Sequence, residues 1–320
     1  MFLPHPDRVN LRLRRIRHLI EYAFLRLTAC VCQVLPHRVA LTLAWGAAGI
    51  VFHVVRFRRT EAVRRIRSVF GDAIPPRQAE RIAWISLRNL CFNAAEMMRV
   101  SRIEPAWLRG HVFGLDDVLG RMRVLIETHG GIIIAVPHMG NWDLAGVAGK
   151  QAGIDVFSIA GKQKNPHVNG WINRIRSHSM DVLERGSSAL RVILRRLHAH
   201  GAFAILPDVR MPMPDLQVPF LGSEANLGRG MAQFARTANV PIFPVILSRV
   251  GWFHHSVVSH DPVFPDPTTD RDADLLRMTR AVMAHVETAI RMHPEQWFWY
   301  NKRWVLKPVT AHPPRPGDDR

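Results

Sequence analysis

A histidine and an aspartate five positions apart are the residues of this chain best suited to chemistry. They lie in IIIAVPHMGNWDLAG, residues 132–146, where His138 follows a continuous apolar run and Asp143 follows a Gly140-Asn141 pair that permits a tight turn. An imidazole can take the proton of an attacking hydroxyl. A carboxylate on its other nitrogen fixes the tautomer and stabilises the imidazolium. The pair therefore suits general-base catalysis, with His138 as the base and Asp143 as its orienting partner. The string H-x4-D is weak by itself, because 17 His and 26 Asp+Glu make chance matches common, and a turn histidine before a helix-capping aspartate reads the same way.

The frame gives the pair its weight. Ile132–Val136 lies between Gly130-Gly131 and Pro137 and reads as a buried strand, with a helix opening near Asp143. Ligands of open α/β sheets sit beyond the carboxyl ends of strands, which is where His138 falls. Other candidates occupy similar places. Asn141 sits inside the turn and is a candidate substrate contact. Arg185 precedes a helix that Ser187 or Ser188 can cap; it could hold a phosphate, or be a solvated arginine. Asp208 ends a strand on the same sheet edge and could orient Arg210 or Arg229, or cap its own loop. Arg229, between Gly228 and Gly230 at a helix start, could bind an anion or a developing oxyanion. Trp297, Trp299 and Trp304 read first as packing residues and second as interfacial anchors.

The elements that must position these residues form one alternating series. Strands are expected at 155–160, 203–206 and 240–247 besides 132–136, and helices at 188–200, 231–238 and 272–292. Two prolines in 240–247 point to an edge strand or a bulge. Such alternation predicts an α/β fold, a largely parallel central sheet flanked by helices. Ahead of it, 60–109 reads as helices broken at Pro75-Pro76, with Ile82, Ile85, Leu90 and Met97 as a packing stripe. Residues 8–17 are a basic arm. Two apolar stretches follow, 19–35 interrupted by Glu21 and Arg26, and 39–55 without charged residues but short of the ~20 residues that span a bilayer. With RFRR at 56–59 behind them, they fit an interfacial helical hairpin or one marginal span, or else a buried helical pair. The expected organisation is a basic arm and membrane-associated helical segment over 1–59, the main domain over 60–308, and a disordered tail over 309–320.

With 320 residues and 48% apolar composition, the chain is long and apolar enough for a large folded core. A net charge of +17 draws it to polyanions, be they nucleic acid, anionic membranes or phosphorylated substrates, without choosing among them. Its three cysteines form no CxxC pair, and no HExxH occurs, so a disulfide scaffold or structural zinc site is not expected. No zinc-finger spacing, RNP pattern or basic-zipper heptad supports nucleic acid as the partner.

PHMGNWDLAG resembles the first motif of the lysophospholipid acyltransferase superfamily. It is most similar to the branch of late lipid A lauroyl and myristoyl acyltransferases and the mycobacterial phosphatidylinositol mannoside acyltransferases. EYAFLRL and FRRTEAVRRIRSVFG resemble that branch's N-terminal helices. VLERG, ILPDVR and VPFLG resemble its later motifs, and HPEQWFWYNKRW at 293–304 its C-terminal signature. Val209, the EANLGRG loop and Asn301 depart from the pattern. The resemblance implies transfer of a fatty acyl chain from acyl carrier protein or acyl-CoA to a lipid hydroxyl, at the cytoplasmic face of an inner membrane, with no metal and no organic cofactor. The acceptor it implies is a phosphorylated glycolipid, first a lipid A precursor, with a lysophospholipid or a phosphatidylinositol mannoside-like lipid as alternatives. It also implies direct transfer without an acyl-enzyme, and the chain has no G-x-S-x-G elbow. The competing class, a non-catalytic binder of anionic membranes or nucleic acid, rests on charge alone.

Overall fold

The apolar run before His138 is the middle of a seven-stranded sheet. The computed structural model describes residues 6–184 and 189–306. Five helices come first: α1 (Pro6–Val34), α2 (His37–Gly49), which runs on as a π-helical turn over Ile50–Val54, α3 (Arg59–Phe70), α4 (Pro76–Met98) and α5 (Pro105–His111). Pro75 precedes α4 and Pro76 is its first residue, where a missing N–H costs nothing.

Strands and helices then alternate: β1 (Val112–Phe113), α6 (Leu115–His129), β2 (Ile132–Ala135), α7 (Trp142–Gln151), β3 (Val156–Ala160), α8 (Pro166–Arg176), β4 (Asp181–Glu184), α9 (Ala189–His198) and β5 (Ala202–Ile205). A two-stranded antiparallel ribbon, β6 (Leu216–Phe220) and β7 (Ser223–Leu227), precedes α10 (Gly230–Ala238), β8 (Ile242–Val250), β9 (His254–Ser259) and α11 (Arg271–Met292).

The sheet order is β1-β9-β8-β2-β5-β3-β4, parallel throughout except between β8 and β9. This is the expected α/β architecture. Pleating sends Ile132 and Ile134 to one face, against α6 and α7, and Ile133 and Ala135 to the other, against α9, α10 and α11. Both faces are covered, which is why the strand reads as unbroken apolar sequence.

Of the two readings of the prolines, an edge position or a bulge, the edge position fails. β8 is an interior strand, between β2 and β9, despite Pro241 and Pro244. Pro241 precedes the strand and uses only its carbonyl, which accepts from Ile133 N. The Pro244 carbonyl accepts from His260 N, so its nitrogen faces the same side, just past the Val245–Ser259 pair that ends the antiparallel ladder. Only the reciprocal bond to the His260 carbonyl is lost, at the ladder's end, and that carbonyl accepts from Arg121 at 3.3 Å instead, so neither proline forces an edge.

The segment after β2 is clamped from two sides. Asn93 of α4 donates to the Gly140 carbonyl at 2.5 Å, and Gly140 N donates to the Gln296 carbonyl at 3.1 Å. Gly140 has φ +55°, and a β-carbon there would lie 2.5 Å from the Leu247 carbonyl oxygen, so only glycine fits this approach. Beneath the turn, Glu96 is 1% exposed and meets Arg249, 0% exposed, at 2.6 Å. Asn141 Nδ2 donates to the same carboxylate at 2.7 Å, and His37 and His255 stand 3.6 and 3.5 Å from it. The positive charge of Arg249 overcomes the cost of burial and holds the Glu96 carboxyl well below the usual range.

The N-terminal helices pack on the same body. Trp45 of α2 and Phe52 stack edge-on against Trp84 of α4, and Asn165 at the start of α8 reaches the His18 carbonyl of α1. No single helix among the described residues is long and apolar enough to cross a membrane. One bent pair, His37–Val54 with Arg59–Ala73 at 86°, passes on length and composition. The Ser187 or Ser188 cap and the tail over 309–320 lie outside the described residues.

Glu96→Gln removes the counter-charge of a buried arginine beneath the turn. It should cost about 3–5 kcal/mol of folding stability, read as a lower denaturation midpoint. Glu96→Leu/Arg249→Met should recover part of that loss; a single substitution as stable as the parent would show the pair to be dispensable.

Candidate active site

Register decides which carboxylate reaches His138. Ala135 of β2 pairs with Ile205 of β5, and each strand runs on through a proline to a polar residue three positions later: Val136-Pro137-His138 and Leu206-Pro207-Asp208. Two adjacent parallel strands thus deliver His138 and Asp208 to the same sheet edge side by side. His138 Nδ1 lies 2.8 Å from Asp208 Oδ1, and the His138 backbone N–H donates to Asp208 Oδ2 at 2.9 Å. Trp297 Nε1 donates to that same oxygen at 2.7 Å. Asp208 is 1% exposed at its side chain, against 22% for His138. A carboxylate only accepts, so Nδ1 carries the proton and Nε2 is left as the acceptor on the open side of the ring.

The expected pairing with Asp143 is corrected by this geometry. Among the described residues no hydrogen bond joins Asp143 to His138; the Nδ1 position is taken by Asp208. Asp143 opens the first turn of α7 and acts on the ring by charge alone. Burial opposes charge on His138, but the charge and hydrogen bond of Asp208, helped by the charge of Asp143, outweigh it and hold the His138 pKa above its ordinary value. Burial likewise opposes ionisation of Asp208, yet the imidazole and the indole N–H hold its pKa low. Asp143 goes the other way: burial pushes it up, only partly offset by Arg176 and His138. Two carboxylates near one imidazole are therefore shifted in opposite directions.

Two apolar cavities meet at Trp142, the neighbour of the histidine ring. Trp142 meets the His138 ring edge-on at 5.2 Å. Trp142, Asp143 and Arg176 all line a slot beyond the carboxyl ends of the strands, walled by Ile134, Val156, Ile159, Met180 and Leu206. The same three residues line a groove between α1, α4 and α8, walled by Leu25, Leu90, Met97, Trp171 and Ile175. Leu90 and Met97, expected as packing, are half-buried walls of this groove.

The remaining candidates separate. Asn141 is fully buried and tied to Glu96, so it positions the turn and offers no substrate contact. Asp208 orients neither Arg210 nor Arg229; it holds His138. Arg229 donates from Nε to Asp215 Oδ1 at 2.6 Å and from its backbone to Asp215 Oδ2 at 3.1 Å, which makes it a helix-start anchor for the ribbon and α10. Arg210 bridges to Leu227 through its backbone, and burial together with the like charge of Arg303 lowers its pKa. Arg185 lies outside the described residues.

Trp297 is the functional residue missed by the sequence reading. Its indole is 3% exposed, as a packing residue would be, but its N–H is spent on Asp208. The backbone around it closes the same ring: Phe298 N donates to the His138 carbonyl at 3.0 Å, and Met139 and Trp297 form a β-bridge. The HPEQWFWYN segment is a strap across the turn.

The family model for bacterial lipid A biosynthesis acyltransferases matches residues 10–305. The chain belongs to that family. Among curated proteins it is similar to a phosphatidylinositol mannoside acyltransferase of Mycolicibacterium smegmatis, 24% identical over 179 residues, covering 55% of this chain and 57% of that one. A phosphatidylinositol mannoside acyltransferase of Mycobacterium tuberculosis is 23% identical over 200 residues, 60% of this chain and 61% of its own length. The chain thus spans about three fifths of the curated relatives it matches. The family match runs through α1, the His138 turn, Asp208 and the C-terminal strap, so every residue of the cluster lies inside it.

The raised His138 pKa has a direct test. Below the histidine's unfolded value the contact with Asp208 contributes its full stability; that contribution is lost as pH rises through the folded value. An NMR titration of the His138 ring should give a midpoint above about 6.5. Asp208→Asn should bring it down, and Asp143→Asn should lower it less. A larger drop from the Asp143 change would make Asp143 the principal partner.

Proposed function

We propose that this protein is a membrane-associated O-acyltransferase. It moves a fatty acyl chain from the thioester of acyl carrier protein or acyl-CoA to a hydroxyl of a phosphorylated glycolipid. The observation that carries this reading is a partly exposed imidazole, held through Nδ1 by a buried carboxylate so that Nε2 is left to accept, against Trp142, which lines two apolar cavities. The acceptor hydroxyl gives its proton to His138 Nε2 as its oxygen attacks the thioester carbonyl carbon. The tetrahedral intermediate collapses, the C–S bond breaks, and the imidazolium returns the proton to the departing thiolate. No acyl-enzyme forms. Asp208 keeps the tautomer and stabilises the imidazolium; Asp143 adds a second nearby carboxylate. The apolar slot beside Asp143 suits the acyl chain, and the groove toward α1 suits a lipid arriving from a bilayer.

The family description favours a lipid A precursor as acceptor, and the relatives' names favour a phosphatidylinositol mannoside. Both are phosphorylated glycolipids, for which an arginine-rich protein of net charge +17 is suited. Membrane contact is supported by α1, α2 and the π-helical turn, whose exposed residues include Ile20, Phe24, Leu27, Leu43, Trp45 and Ile50. We place them in the interface at the cytoplasmic face of the inner membrane.

His138→Ala, with its fold intact, should lose about 10²–10⁴-fold in kcat for acyl transfer to an extracted glycolipid acceptor. Full activity in that variant would sink the general-base reading. Ala160→Leu, at the slot, should shift preference toward shorter acyl donors by about tenfold or more, read from kcat/KM across chain lengths. Mass spectrometry of total lipids with and without the gene identifies the acceptor as the glycolipid lacking one acyl chain.

A further inference from the structure

The first half of α4 turns a different face outward from the half that walls the groove. Arg77, Arg81 and Arg88 lie along it, and Arg291 from the end of α11 stands across from them. They rim a cleft with Ile82, Ile85 and Arg249 inside it, and Glu295 is its single acid among the described lining residues. Arg77 and Arg81 pair with no acid among the described residues. Arg88 donates only to Asn89 Oδ1, at 2.9 Å from Nη2. Arg249 is fully buried; its two terminal nitrogens hold Glu96 and Asn93, but its Nε has no hydrogen-bond partner. Arg291 is paired with Glu287 at 2.7 Å, but Arg77 and Arg81, beside an unpartnered buried donor, are like charges whose gathering is costly unless an anion joins them.

The cleft opens beside apolar surface. Trp84, one turn from both Arg81 and Arg88, carries Trp45 at 6.4 Å and Phe52 at 5.5 Å. On the same α2 and π-helical segment, and just after it, Leu43, Ile50, Val54, Val55 and Phe57 are exposed. Arginines flanking an exposed apolar ridge match the layering of a bilayer surface, with acyl chains below and phosphates above. The buried Arg249–Glu96 pair separates the cleft from the His138 turn.

We propose that this cleft is a phosphate site that takes anionic lipid headgroups while α2 rests in the interface. It rests on the reading that α1 and α2 meet a membrane, and the experiment distinguishes the two. The full chain, and its Arg77→Gln/Arg81→Gln variant checked for an unchanged thermal midpoint, are co-sedimented at one ionic strength with phosphatidylcholine vesicles and with vesicles also carrying phosphatidic acid. Partitioning of the variant onto the phosphatidic acid vesicles should fall about thirtyfold, at about 1 kcal/mol per arginine near an anionic surface. Its weaker partitioning onto neutral vesicles should not change. Equal binding of parent and variant to anionic vesicles would overturn the cleft site and leave membrane contact standing. Failure of the parent to bind either vesicle would overturn both. In a third arm, inorganic pyrophosphate is titrated calorimetrically into both proteins. Pyrophosphate binding that the variant loses, with vesicle binding unaltered, would overturn the lipid assignment in favour of a soluble phosphate.

Discussion

A buried carboxylate must be given donors, and in this protein the donors for Asp208 build the candidate active site. Its oxygens receive the His138 ring N–H, the His138 backbone N–H and the Trp297 indole N–H, all within 2.9 Å. Removing any one would leave a charge about as buried but less compensated, so catalytic geometry and local stability rest on the same atoms. The arrangement needs three separate segments in place: the end of β2, the end of β5, and the strap that follows α11. A helix-borne or loop-borne carboxylate could be displaced by small backbone shifts. One fixed by the parallel register of central strands is far less free to move.

A second buried carboxylate does a different job a short distance away. Glu96 is buried on the far side of the turn; its partners are Arg249, Asn141 and two histidines. Where Asp208 orients a ring that stays partly exposed, Glu96 holds the floor of the turn that carries the ring. The turn backbone is then fixed from above by Gln296 and Trp297 and from below by Asn93. Gly140 is required because Leu247 of β8 comes too close for a side chain. Polar groups are buried here at some energetic cost, and they fix one conformation of one loop, which an apolar filling of equal volume would not do.

The sequence made the elements legible because their signals are local. Apolar runs bounded by Gly and Pro gave β2, β3 and β5 within a residue or two, and the run over 272–292 gave α11. Pairing is not local, and there the reading went astray. Asp143 was chosen as the partner of His138 by nearness along the chain, whereas register makes Asp208, 70 residues away, the nearer group. A signal existed: AVPH and ILPD are matched strand ends, each an apolar run closed by proline and a polar residue. Recognising them as neighbours needed the strand order. The same blindness hid Trp297, since a buried indole that packs and one that also donates look identical in sequence. The proline inference for β8 failed because it counted prolines without knowing which side of the strand their nitrogens face.

Separating Asp143 from Asp208 gives the site a division of labour that one His–Asp pair lacks. Asp208 is charged, buried and fully donated to, so it can hold a tautomer but has little capacity left for anything else. Asp143 has a raised pKa, stands beside Arg176, and lines both apolar spaces. It is the carboxyl group placed where reactants would pass. As His138 becomes an imidazolium, a nearby Asp143 gains a reason to ionise, because a new positive charge lowers the cost of its own. The two groups therefore couple through charge, each charged form favouring the other. In the proposed mechanism that coupling would act on the charge-separated intermediate, and only an interaction stronger there than in the resting state accelerates a chemical step.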